Sequence, residues 1–187
     1  MAGTIRKLTL WRHSSGKGDT ADTITAEVSS TRPGVYRIRY RVAGNLTKLH
    51  IPRRTRPERA NELWRHTCFE FFVTGSGTGY YEFNFSPSTQ WAAYRFSSYR
   101  DGMTDLPLPT SPRIDCEISP DRFVLDAIVD LQALHRADVG SQARIALAAV
   151  IENRDGHIAY WALAHPEGKP DFHHADGFIA GLPDNSV

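Results

Sequence analysis

The chain has little of what would place it in several familiar classes. Only two of its 187 residues are cysteine, Cys68 and Cys116. Each lies in a strand-like run and neither has a Cys or His at zinc-finger spacing, which argues for two reduced, partly buried thiols and against a disulfide framework. Charge of one sign is missing as well: 22 basic residues against 21 acidic leave a net +1, too little to gather nucleic acid or an anionic membrane. No stretch approaches the ~20 apolar residues that span a bilayer. Met1 to Trp11 alternates polar and apolar residues where a secretory leader would be continuously apolar. A cytoplasmic location, with neither a nucleic-acid nor a membrane partner, is the expectation. Catalytic signatures are scarce too, since there is no Gly-x-Ser-x-Gly elbow and no Cys and His that the sequence pairs.

What is present is β structure. An apolar share of 41% is enough for a full core, and the length suits one domain over residues 1–187. Period-2 runs recur, from Ile5, Leu8 and Leu10, through Ile24, Ala26 and Val28 after a loop at Gly16 to Asp19, to Val35–Val42. In that last run Tyr36, Ile38, Tyr40 and Val42 face one way and Arg37, Arg39 and Arg41 the other. Later runs are Trp91–Phe96, Arg113–Ile118, Phe123–Val129, Ile145–Ile151, Ile158–Ala164 and Gly177–Leu182, with Asn153 to Gly156 as a hairpin turn. Helix is confined to short pieces, one over Pro57–Leu63 and one capped by Asp130 through Leu134. Pro107, Pro109 and Pro112 mark a loop between the halves of the fold. Nine or ten strands without alternating long helices predict an all-β antiparallel sandwich.

Two runs, Thr67–Val73 and Tyr80–Phe85, carry the functional clue. Phe69, Phe71, Val73, Tyr81, Phe83 and Phe85 form a wholly apolar face, which is core. Cys68, Glu70, Phe72, Tyr80, Glu82 and Asn84 form the other, mixing carboxylates, an amide and rings. Such a face suits either a hydrogen-bonding ligand surface or a solvated sheet face with a cross-strand ladder of Arg and Glu. A turn at Gly75 to Gly79 puts Glu70 nearly opposite Glu82 or Asn84, with Arg95 on the next strand to balance the charge. A sugar needs an aromatic platform for its apolar ring face and carboxylate or amide partners for its hydroxyls, and Trp64, Trp91, Glu70, Glu82 and Asn84 supply both.

Trp64 to Phe72 followed by Tyr80 to Phe85 resembles family 9 carbohydrate-binding modules and the wider DOMON-like superfamily. In that family a Trp enters the strand and a Glu follows six positions on, here Trp64 and Glu70, while Tyr81, Glu82, Phe83 and Asn84 match the next strand. Lys169 to Asp176 looks like the uncharacterised bacterial branch of the superfamily. His66 stands where the carbohydrate modules usually carry an Asp, and Trp161 and Phe172 are the nearest counterparts of their second clamping Trp. The resemblance implies a non-catalytic ligand-binding sandwich whose small-molecule ligand is a carbohydrate or similar polyhydroxylated compound. The expected site is Trp64, Glu70, Glu82, Asn84 and Trp91, with His66, Arg95, Asp171, Phe172, His173 and His174 at the rim.

Other readings stay open. Some DOMON relatives bind haem through a Met and a His, and Met103 has His157, His165, His173 or His174 as possible mates. Asp171, His173, His174 and Asp176 are the densest cluster of divalent-metal ligands, although adjacent histidines on an extended segment point apart. Glu70 and Glu82 are the paired carboxylates that a glycoside hydrolase would need. Arg53, Arg54, Arg56 and Arg59 read as a solvated loop.

Overall fold

The computed structural model describes residues 5–17, 20–140 and 142–183, with the side chains of residues 135–137 left aside. The alternation at Met1 to Thr4 and the end of the loop expected over Gly16 to Asp19 lie outside the described residues. Twelve strands are assigned among them: β1 (Ile5–Arg12), β2 (Thr23–Arg32), β3 (Val35–Ala43), β4 (Cys68–Thr74), β5 (Tyr80–Phe85), β6 (Trp91–Phe96), β7 (Thr104–Asp105), β8 (Arg113–Ile118), β9 (Arg122–Asp130), β10 (Arg144–Glu152), β11 (Ile158–Ala162) and β12 (Ala180–Gly181). All ladders between them are antiparallel.

The first sheet runs β1-β2-β3-β9-β8 and the second β7-β6-β5-β4-β10-β11, with β12 on β10. Strand β1 joins them, since Ile5 to Leu10 pair with β2 while Trp11 and Arg12 pair with β11. The Pro107 to Pro112 segment carries the chain from the second sheet to the first, as its prolines predict. Tyr36, Ile38, Tyr40 and Val42 of β3 face Phe69, Phe71, Phe83 and Phe85 of the second sheet in the core. Outside, Arg37 and Arg39 both bond Asp126, and Arg41 bonds Glu27. The hairpin between β10 and β11 closes through the Asn153 amide on the His157 carbonyl at 2.8 Å, with Gly156 at the positive φ of +82° that such a turn requires.

Helix falls differently from the expectation at one place. Pro57 to Leu63 is not helical; a single 3-10 turn forms at Leu63–Arg65, after Glu62 at φ 59°. The chain there instead runs extended beside β6, with the Trp91 and Ala60 amides donating to Glu58 and Trp91 carbonyls. The second helix, α1 (Gln132–Ala137), forms where expected, with the Asp130 carboxylate accepting from the Gln132 amide at 2.9 Å. Both cysteines are free thiols, Cys68 buried and Cys116 half-buried. No helix among the described residues is long and apolar enough to cross a membrane.

The second sheet is buried on both faces, which is why β4 and β10 read as near-continuous apolar runs. Its outer face holds a second apolar cluster of Phe72, Tyr80, Tyr94, Phe96 and alanines, covered by Leu63, Phe172 and Phe178. The segments before β4 and after β11 therefore fold over this face, and the space left between them is a cleft.

Candidate functional site

The floor of the cleft is set by strand register. Glu70 of β4 lies opposite Asn84 of β5, and Glu82 opposite Phe72, so the two carboxylates are diagonal neighbours on one face. Around them the adjoining strands present small side chains: Ala148 is opposite Glu70, Ala162 opposite Ala148, and Ala92 opposite Asn84. Alanine at these points keeps the floor low. The cleft has a volume of about 810 Å³, within the range of small-molecule sites. Its walls include Trp64, Tyr94, Phe96, Tyr160 and Phe172, and Arg65, His66, Arg100, Met103 and His173 also line it.

Both carboxyls are withdrawn from water, Glu70 at 3% and Glu82 at 4% exposure, and Asn84 is fully buried. The face is thus neither solvated nor an Arg and Glu ladder. Burial pushes Glu82 up to about 7, against the opposing effects of a hydrogen bond from Asn84 and the nearby charge of Arg100. Burial, then the neighbouring Glu82, drives Glu70 well above the usual carboxylate range, with Arg100 opposing. Two buried acids side by side cannot both ionise cheaply, so the pair retains a proton near neutrality. The Asn84 amide donates to Glu82 at 2.6 Å, and the Cys68 thiol lies 3.6 Å from the Asn84 oxygen on its other side.

Arg100 is the cation that serves this pair. It sits in the turn after β6 at φ 54°, an unusual conformation for a non-glycine residue. Its amide donates to the Tyr80 hydroxyl at 3.2 Å and its guanidinium to Asp171 at 2.7 Å. Asp171 also accepts from the Tyr99 hydroxyl and from the His173 amide. Burial, with Arg100 beside it, pushes His173 down to about 4. Its Nδ1 pairs with the Tyr80 hydroxyl at 2.8 Å, and its Nε2 is 3.8 Å from Glu82. That separation is within ion-pair reach, yet a neutral imidazole makes it a polar contact only.

The expected site residues divide into three groups. Trp64, His66, Glu70, Glu82, Phe172 and His173 all line the cleft, with Asn84 directly beneath. Asp171 and His174 lie outside: Asp171 braces Arg100, and His174 accepts from the Asp176 amide in a 3-10 turn. Trp91 and Arg95, expected at the site, stand elsewhere. Phe85 pairs with Trp91 and Tyr81 with Arg95, which puts both on the opposite face; Trp91 is buried in the inter-sheet core and Arg95 is solvent-exposed. Trp161 is likewise core, leaving Phe172 as the aromatic on the cleft.

The remaining candidates disperse. Met103 and His173 line the cleft, whereas His157 bonds Asp155 on the surface and His165 packs against His13. Asp171, His173, His174 and Asp176 do not gather into one group; the described residues gather His50, His66 and Glu152 instead. Of the arginine cluster, Arg53, Arg54 and Arg56 are exposed, but Arg59 binds Asp105 and lies 5.2 Å from the Tyr94 ring, behind the cleft wall. Arg100 carries no signal of this role in the sequence. A turn residue at positive φ leaves no periodic trace, although the small residues at 92, 146, 148 and 162 do mark the hollow face.

A two-sheet antiparallel sandwich with an acid-floored, aromatic-walled cleft on the outer face of one sheet is therefore the class this chain defines. Among solved structures it is similar to a "putative carbohydrate-binding protein" from Bacteroides uniformis, with a TM-score of 0.65 and 13% identity over 94% of this chain and 84% of that one. A family 9 carbohydrate-binding module from Caldicellulosiruptor kristjanssonii, in complex with glucose, is a slighter likeness, with a TM-score of 0.46 and 10% identity over 82% of this chain and 72% of that one. The first comparison carries the fold. No protein-family model and no curated protein sequence matches the chain, so the DOMON resemblance has no support at the level of sequence.

Proposed function

We propose that the cleft binds a carbohydrate, or a similarly polyhydroxylated small molecule, without turning it over. The observation that carries this reading is the Glu70 and Glu82 pair, buried side by side in the floor of an aromatic-walled cleft, where burial favours the protonated form. A carboxyl that keeps its proton both donates and accepts, which matches a hydroxyl group that does the same. Trp64, 36% exposed and edge-on to Tyr94 at 6.0 Å between ring centroids, offers a ring to the apolar face of a pyranose. The Bacteroides uniformis structure of the same fold, described as a carbohydrate-binding protein, points the same way.

Binding is favoured over hydrolysis by where the carboxyls stand. Glycoside hydrolysis places two carboxyl groups on either side of the scissile bond. Here both rise from adjacent strands of a single floor, and Asn84 and His173 occupy the surroundings of Glu82. The experiment is a glycan array followed by calorimetric titration of each positive glycan. Saturable binding with no released sugar is expected; absence of binding to any glycan, or turnover of a bound one, contradicts the reading.

A further inference from the structure

We infer that His50, His66 and Glu152 form a binding site for one first-row divalent transition ion, of the zinc type, at the rim of the cleft. Three separate segments bring these side chains together: the extended stretch after the 3-10 turn Leu46–Lys48, the residue just after the turn Leu63–Arg65, and the last residue of β10. Both imidazoles turn the same atom inward. His50 Nδ1 and His66 Nδ1 each stand 2.7 Å from one oxygen of the Glu152 carboxylate, and the three ligand atoms lie within 4.8 Å of one another. The two rings stand nearly perpendicular, at 80°, and their Nδ1 atoms meet at the same carboxylate oxygen.

The backbone beneath is fixed. Thr67, fully buried, donates its hydroxyl to the His50 carbonyl at 2.6 Å and accepts the Glu152 amide at 3.1 Å. The His50 amide in turn donates to the Glu152 carbonyl at 2.8 Å. One hydroxyl thus ties two ligand-bearing segments, and its own residue directly follows the third ligand, His66. A set held this way needs only a small outward movement of each side chain to place its atoms at roughly 2.0–2.2 Å from a metal.

The donor set selects the ion. Two imidazoles and a carboxylate suit zinc, cobalt or nickel, whereas calcium takes ~6–8 oxygen ligands. Exposure selects the geometry: Glu152 is 14% exposed, but His50 and His66 are 43% and 58% exposed, so the carboxylate anchors the site from inside and the solvent side stays open. Three protein ligands with an open position are the arrangement of an accessible zinc ion. His66 also lines the cleft, which puts that open position at its rim.

The test is calorimetric titration of the chelator-treated chain with Zn2+ and with Ca2+, repeated on His50→Ala, His66→Ala, Glu152→Gln and His157→Ala. His157, an exposed histidine paired with Asp155 in the adjoining hairpin turn and not one of the three ligands, controls for adventitious binding. The expected result is one Zn2+ per chain, at least ~10-fold weaker binding in each of the three ligand variants, an unchanged His157→Ala and no comparable Ca2+ binding. Co2+ should give a visible absorption spectrum that His66→Ala loses. His66 is exposed, so that variant keeps its fold, and its melting without metal verifies this. Zn2+ binding that is undiminished in His66→Ala and Glu152→Gln overturns the inference, as does the absence of one-to-one binding in the parent chain.

Discussion

The side-chain amide of Asn84 donates a 2.6 Å hydrogen bond to the carboxylate of Glu82, two residues earlier on the same strand and the same face. It opposes the burial that drives Glu82 up to about 7. Because the folded value lies above the ordinary 4.5, the native state holds a proton that the unfolded chain has released. The stabilisation from this group is complete in acid and is lost as pH rises through 7. His173, held down to about 4, acts oppositely between pH 4 and 6.5, where its neutral native form makes stability rise with pH. Above pH 6.5, of these two effects only that of the glutamate pair remains. Denaturant unfolding should show stability falling between pH 6.5 and 8.5 by on the order of 1 kcal/mol, and Glu82→Gln should flatten that slope. An equal slope in the variant would be evidence against a protonated pair.

Arg100 should act on the same titration from a distance. Replacing it with glycine relieves the positive φ and removes the cation that lowers both glutamates. Carboxyl-carbon NMR of Arg100→Gly should place the Glu82 midpoint higher than in the parent chain. A midpoint that stays put means that another group balances the floor.

The core face makes an independent prediction. Phe83 is fully buried and packs 5.9 Å from Phe71, ring centre to ring centre. Phe83→Ala should cost about 3–5 kcal/mol in urea unfolding, whereas Trp64→Ala, at a half-open position, should cost far less. Equal losses would mean that Trp64 is a core residue and not a wall of the cleft.

Much of this was legible from residues alone. Alternation in Cys68–Thr74 and Tyr80–Phe85 separates the core phenylalanines from Glu70, Glu82 and Asn84; the short turn between them brings Glu70 opposite Glu82 or Asn84, and the register of the ladder selects Asn84. The side of Trp91 and Arg95 is not legible from alternation alone, because the parity of β6 depends on the length of the Ser86 to Gln90 connection: Phe85 pairs with Trp91, so odd positions of both strands share the core face. Burial of the mixed face was hidden for another reason. Its cover comes from irregular segments on either side of the sheet, around Leu63 and from Pro170 to Phe178, which have no period to read. The convergence of His50, His66 and Glu152 is a long-range contact of the same kind, joining residues 102 and 86 positions apart.

Haem and hydrolysis each leave a direct signature. Met103 and His173 line one cleft, but the His173 Nδ1 is engaged by Tyr80 and its Nε2 faces Glu82. Freshly purified chain should show no haem absorption band, and prolonged incubation with a bound glycan should release no reducing sugar. A haem band would replace the sugar reading with the redox one.

Binding by the two variants that alter only the cleft is the most direct test of the sugar site. Calorimetric titration of one array-positive glycan into the parent chain, Trp64→Ala and Glu70→Gln, with melting recorded on each, separates ligand contact from structural support. The cleft reading predicts one site per chain and a loss of about 1–3 kcal/mol, roughly 5- to 150-fold in affinity, for Trp64→Ala. Glu70→Gln should weaken binding while leaving the fold intact. Parent-like affinity in both variants, or melting that collapses while affinity per folded molecule is unchanged, would contradict it.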